Sequence, residues 1–157
     1  MRRKDREIKE PSEILTIMKR CAVLDVAFFD EEYPYIVPFN FGLVWEGELP
    51  ILYIHGAAQG KKFEMMEKNP HVSFCMRTEE KVLPADVPCA YSCAYQSVCG
   101  NGIASMVPME QKKMTLDAIM SQAGAGGDYT YPQQMLERIG VWQIQVVNLT
   151  AKATFKD

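Results

Sequence analysis

The chain has no apolar run near the ~20 residues a bilayer-spanning helix needs, so no membrane partner is expected. Its head also lacks the apolar stretch of a secretory leader: Arg2, Arg3, Lys4 and Arg6 are interrupted by Asp5, Glu7 and Glu10, a mixed-charge, solvated pattern. A cytoplasmic setting is the resulting expectation. No basic excess exists either, since 17 Lys and Arg face 20 Asp and Glu for a net charge of -3. That disfavours nucleic acid, whose binders carry a basic stripe. No dinucleotide fingerprint is present, because Gly100-Asn101-Gly102 lacks the third glycine and the helix start the motif requires. No phosphate-binding P-loop is present either, because Lys62, not a hydroxyl, follows Gly60-Lys61.

Cysteine is modest and odd in number: five, at 21, 75, 89, 93 and 99. There is no C-x2-C pair. Cys89, Cys93 and Cys99 follow C-x3-C-x5-C, and His55 and His71 lie well upstream, which is poor spacing for a metal site. Reduced thiols without a metal are expected, as is usual in reducing cytosol. Histidine is scarcer still, with two in the chain. His55 invites a reading as a general base, but no Ser/Asp or Cys/Asp partner stands in a hydrolase arrangement. A histidine satisfied beside a ligand or in the core is the plainer alternative.

What is present is an ordinary globular balance, 157 residues with 48% hydrophobic and 24% charged side chains. One domain, 1–157, fits that length, and such a chain buries roughly 70% of its unfolded surface. Ser12 as N-cap followed by Ile14, Ile17, Met18 and Cys21 predicts a first helix. Strand-like runs follow at 23–29, 33–44, 49–55, 72–77, 95–107 and 141–155. Trp45 to Glu48 supplies a hairpin turn between two of them. Pro34 and Pro38 must sit at an edge, a bulge or a strand start. Gly100 and Gly102 suggest a bulge or a tight corner. Helices are predicted at 61–68, ended before Pro70, at 108–122 and at 132–138. Turn-linked strands with peripheral helices give a mainly β fold, a small antiparallel barrel, and not a doubly wound sheet.

One stretch is shaped for an anion. In Tyr53-Ile54-His55-Gly56-Ala57-Ala58-Gln59-Gly60-Lys61-Lys62 a strand ends, small residues clear a path, and a helix opens with two lysines. Free N–H groups at a helix start attract phosphate; solvated lysines are the bland reading. Ser97, on the same strand face as Tyr95, adds a hydroxyl to such a site or simply decorates a barrel surface. Phe39, Tyr53 and Trp142 suit stacking on a flat ring or packing in a core.

The ordered set of Met1 to Ile8, Tyr33 to Gly42, Tyr53 to Lys62, Asn69-Pro70-His71-Val72, Pro88-Cys89 and Tyr95-Gln96-Ser97-Val98 resembles the nitroimidazole-resistance flavoproteins of the pyridoxamine-phosphate-oxidase-like superfamily. A looser echo runs from Trp142 to Lys152. The resemblance implies a split β-barrel with peripheral helices that binds FMN at a homodimer interface and reduces a small-molecule acceptor such as a nitroaromatic. It implies that Val37, Pro38, Phe39 and Asn40 face the isoalloxazine ring. His55, the catalytic candidate, and Gly56 would lie beneath the ring or ribityl chain, while Lys61, Lys62 and Ser97 would hold the phosphate. The chain departs from the pattern at Lys61, where arginine is frequent, at His71, and at Ala151-Lys152. A flavin-binding protein without turnover, or a cofactor-free dimeric interaction module, are the alternative functions.

Overall fold

The computed structural model describes residues 3–78 and 80–154. Met1 and Arg2 of the resembling head, and Phe155 of the expected last strand, lie outside them. A short strand, β1 (Glu7–Ile8), precedes helix α1 (Pro11–Arg20). α1 begins one residue before the expected cap, since Pro11 at its first position has φ preset for a helix and Glu10 takes the cap place without a side-chain bond. Ile14, Ile17 and Met18 form its buried face, as their spacing predicts.

Next come β2 (Leu24–Phe28), β3 (Tyr35–Phe39), β4 (Phe41–Val44) and β5 (Ile51–Ala57). The Trp45 indole N–H donates to the Gly47 carbonyl (3.1 Å) and closes the turn between β4 and β5. Helix α2 (Lys61–Lys68) leads through Pro70 into β6 (His71–Arg77). A separate two-stranded ribbon pairs β7 (Lys81–Leu83) with β8 (Ser92–Ala94). Then follow β9 (Gln96–Met106), α3 (Lys112–Gln122), α4 (Gln133–Arg138) and the long β10 (Ile139–Ala153). A 3-10 turn at Met109–Gln111 precedes α3, so the helix expected from Pro108 starts four residues late.

The main sheet is antiparallel, in the order β3-β2-β6-β9-β10-β5-β4, with β1 added to β10. The two ends of this path are neighbours in sequence, with Asn40 alone between β3 and β4. The sheet therefore curls into a barrel left open along the β3/β4 seam, the split-barrel β+α architecture. Pro38 sits in β3, at the sheet's edge, where its missing N–H leaves no ladder bond unmade.

Inside the curl, Leu24, Val26, Leu52, Ile54, Phe74, Val98 and Ile144 form the main core, closed at one side by α1. A second core of Tyr53, Val107, Leu116, Ile119 and Val141 lies between α3 and the outer face of β5 and β10. β10 serves both cores, and its parity changes on the way. Trp142, Ile144 and Val146 are buried, but after a register shift at Val147 the buried positions become Ala151 and Ala153. The bulge thus lies on β10, and the glycines expected to carry it lie opposite, on β9. Gly100 and Gly102 pair with Leu149 and Val146. A Cβ at Gly102 would stand 2.5 Å from Ile144 Cγ2 and 2.8 Å from the Gln145 carbonyl oxygen, and one at Gly100 would collide with Phe74 and the Asn148 carbonyl.

Gly102→Ala should consequently destabilise the fold by about 1–3 kcal/mol through overpacking. Gly47→Ala, where a Cβ meets nothing within 4 Å, should stay within about 0.5 kcal/mol. Urea unfolding midpoints at unchanged slope measure both.

Candidate functional site

β5 carries His55 and Gly56 to the end of the sheet, and the next turn delivers α2. Gly60 at the N-cap has φ 123°, a left-handed conformation that glycine adopts at little cost. α2 has no side-chain cap. The Phe63 and Glu64 N–H groups donate to the Gly60 carbonyl at 3.0 and 3.3 Å, which leaves the first N–H groups, on Lys61 and Lys62, outside the helical ladder.

The two lysines differ in their partners. Lys61 Nζ lies 2.6 Å from an Asp30 carboxylate oxygen and 4.8 Å from the Tyr35 ring centroid. The lysine's hydrogen bond holds Asp30 below its usual carboxylate range, and Asp30 in turn raises Lys61. Lys62 has no carboxylate in ion-pair range among the described residues. Its Nζ lies 5.4 Å from the centroids of both Phe39 and Phe63. A Cβ at Gly56 would stand 3.0 Å from that nitrogen, so the missing side chain is what lets the ammonium cross the strand. Phe63 stacks on Trp142, centroids 5.5 Å apart and planes 9° from parallel. The buried Trp142 indole N–H has no acceptor among the described residues.

His55 pairs with Val141 on β10 and is half-buried. Burial first, and the Lys62 ammonium second, push its pKa below the ordinary value, which keeps the imidazole neutral at neutral pH. Val37, Pro38, Phe39 and Asn40 run along the open seam, with Phe39 buried and edge-on to Phe28 (6.3 Å, 77°). Phe39, His55, Gly56 and Lys62 are thus gathered at one end of the barrel, with Lys61 at its margin. Tyr53 does not join them as a stacking surface, because it belongs to the second core under α3.

Ser97 stands elsewhere in the chain. It pairs with Arg77 on β6 and Lys152 on β10. Gly56 pairs with Gly140, twelve residues from Lys152 along the same strand, roughly 40 Å of strand path. Within one chain Ser97 and Gly56 therefore stand toward opposite ends of β10.

A cleft of about 480 Å³ borders Gly56, walled by Pro132, Gln134, Met135, Arg138 and Ile139. Sequence reasoning placed α4 but assigned it no role. The wall is pinned by Lys112, a buried ammonium donating to the carbonyls of Leu136 and Ile139, both at 2.7 Å. It thereby satisfies acceptors left free at the end of α4. A lysine facing a helix end across a long loop leaves no local sequence signal. Among the described residues, no group of three His, Cys, Asp or Glu side chains is placed to hold a metal.

The pyridoxamine 5'-phosphate oxidase family matches the chain over residues 10–153. A candidate 5-nitroimidazole antibiotic resistance protein from Bacteroides thetaiotaomicron superposes with TM-score 0.80 at 28% identity, covering 94% of this chain and 86% of that one. An FAD- and heme-binding protein from Mycobacterium smegmatis shares the fold at TM-score 0.83 and 15% identity, over 96% and 74% of the two chains. A NimC/NimA family protein from Clostridium acetobutylicum does so at 0.62 and 19%, over 93% and 87%. No curated protein matches in sequence.

The His55 environment sets a measurable titration. Its imidazole should titrate below ~6.5, and Lys62→Met should raise that midpoint without restoring it, because burial is the larger cause. With the folded value depressed, His55 adds stability at higher pH, and that contribution fades as pH falls through the folded value. NMR of the imidazole protons in both proteins checks the order of the two effects.

Proposed function

The chain is a member of the pyridoxamine 5'-phosphate oxidase family, and from that footing we propose that it binds FMN where β5 turns into α2 and reduces small flat acceptors such as nitroaromatics. The observation that carries the proposal is Lys62, a half-buried ammonium without a carboxylate partner among the described residues, lying across Gly56 beside an uncapped helix start. That combination is what a phosphate monoester needs: N–H donors, the positive helix end and a cation. The unpartnered Trp142 N–H marks a further unused donor at the same end. The similarity to the Bacteroides resistance protein supports the acceptor class, and the flavin bound by the mycobacterial fold relative supports the cofactor class.

When bound, the flavin supplies the redox chemistry; the protein supplies position and electrostatics. Lys62 and the first N–H groups of α2 hold the phosphate. Lys61 contributes less, being engaged by Asp30. The Val37–Asn40 edge borders the ring. His55 stays neutral beside Lys62 and offers one ring nitrogen as acceptor, the other as donor, to ring or acceptor. Phe39 and Phe63 keep water from the ammonium.

Because Ser97 lies far from Lys62 in its own chain, it reaches a phosphate only as Ser97 of the partner subunit, in a homodimer. Phe29, Tyr33 and Ile36, 64, 71 and 62% exposed beside the open seam, give a second copy apolar surface to cover.

Titration with FMN and riboflavin tests the reading. Lys62→Ala should weaken FMN by about 1.5–3 kcal/mol, roughly tenfold to a hundredfold. Lys61→Ala should cost clearly less, and riboflavin should lose little from either change. Equal losses for the two flavins would refute the phosphate contact. A protein that stays colourless with added FMN would return the interaction-module reading. Sedimentation of the flavin-loaded protein as a monomer at micromolar concentration would remove the homodimer.

A further inference from the structure

The β6–β9 ladder sets Cys75 directly opposite Cys99, and their sulfurs are 3.4 Å apart. Facing residues of an antiparallel pair have Cα atoms ~4.5–5.5 Å apart in either kind of pair, inside the ~4.4–6.8 Å range that disulfides use. A small closing of the side chains is enough to join them. The pair lies on the outward face of the sheet, with Cys99 exposed and Cys75 half-buried, so a solute meets Cys99 first.

Charged neighbours divide the roles further. Asp25 on β2 is the register partner of Cys75, and Arg77 beside it pairs with Asp25 at 3.4 Å. Thr150 faces Cys99, and Lys152, two residues on, approaches diagonally while lying 5.0 Å from the Tyr95 ring centroid. The hydrogen bond between the two thiols and the Lys152 charge lower the Cys99 pKa, whereas the same pairing, burial and Asp25 raise that of Cys75. Cys89 and Cys93 have no such arrangement. Cys89 sits in the single turn Pro88–Ala90, and Cys93 on the small ribbon.

We propose that Cys99 and Cys75 form a reversible dithiol/disulfide site that consumes hydroperoxides, with Cys99 as nucleophile and Cys75 as the resolving thiol. The Cys99 thiolate attacks the terminal peroxide oxygen, the O–O bond breaks, and the departing oxygen takes a proton and leaves as water or an alcohol. Cys99 is then a sulfenic acid. Cys75 attacks that sulfur, the S–O bond breaks, and the expelled hydroxide carries off the Cys75 proton as water. Two thiols have lost two electrons, the peroxide has gained them, and a dithiol reductant reverses the change by exchange. None of these steps uses the flavin.

The test treats the reduced full-length protein with one equivalent of hydrogen peroxide, blocks remaining thiols with N-ethylmaleimide, and maps peptides by mass spectrometry. The expected product is a Cys75–Cys99 cross-link that dithiothreitol reverses, with Cys89 and Cys93 alkylated. In Cys75→Ser the cross-link should vanish and Cys99 should be trapped by dimedone as its sulfenic acid. In Cys99→Ser peroxide consumption should fall at least tenfold. Iodoacetamide labelling of Cys99 should reach half its maximal rate clearly below the ~8.5 of an ordinary thiol. A dominant disulfide through Cys89 or Cys93, or Cys75 and Cys99 both recovered unoxidised, would overturn the proposal. So would Cys99→Ser oxidising at the rate of the unaltered protein.

Discussion

A single residue governs the architecture. Asn40 is all that separates β3 from β4, yet these strands are the two ends of the seven-strand path. Laid flat, six inter-strand spacings of ~4.8 Å would hold the edges roughly 29 Å apart. Two peptide links span about 7 Å. The sheet cannot satisfy both and stay flat, so it curls until its edges nearly meet. The right-handed twist of strands makes such coiling accessible. The bulge at Val147 on β10 lets one strand line the main core at both ends.

That curl makes the candidate site. Gly56 at the end of β5 and Lys62 at the start of α2 are joined by one turn, and Phe39, the last residue of β3, reaches them because the seam is nearly shut. The closure also accounts for the unequal lysines. Lys61 projects toward Asp30, in the loop after β2, and forms an exposed ion pair that contributes little to stability. Lys62 is carried inward over two aromatic faces, where cation–π attraction of about 0.5–2 kcal/mol partly offsets lost hydration. A cation so placed gains more from an incoming anion than a solvated one, since water no longer screens it.

What the sequence made legible was mostly local. Lys61–Lys68 is bounded by a glycine and an Asn-Pro step, and the structure agrees to the residue. The α1 face and the hairpin at Trp45 follow from spacing and turn chemistry in the same way. Other features depend on register and tertiary path. Gly100 and Gly102 signalled an irregularity, but the extra residue is on the strand across from them, because a glycine makes room for a neighbour as readily as it bends its own chain. Ser97 follows the lysines in the order of the family motif, but strand path, absent from that order, puts it toward the far end of β10 within one chain. The Lys112 clamp on α4 and the wall it fixes are likewise tertiary.

The two thiols show the same limit from the other side. Cys75 and Cys99 are 24 positions apart, and nothing in their spacing distinguishes them from Cys89 or Cys93, which fall between. Only register does: β6 and β9 run antiparallel, and the ladder that pairs His71 with Ile103 must, by counting, pair Cys75 with Cys99. Their location also bears on independence. Cys99 faces Thr150 while Gly56 faces Gly140 on the same β10, ten residues and roughly 33 Å of strand away. Electrons do not pass between groups so distant within one chain by direct contact of their reacting atoms. Within one chain the thiol pair and the lysine end thus lie apart, whereas in the proposed homodimer the phosphate would lie near Ser97, two residues from Cys99 on the same strand face.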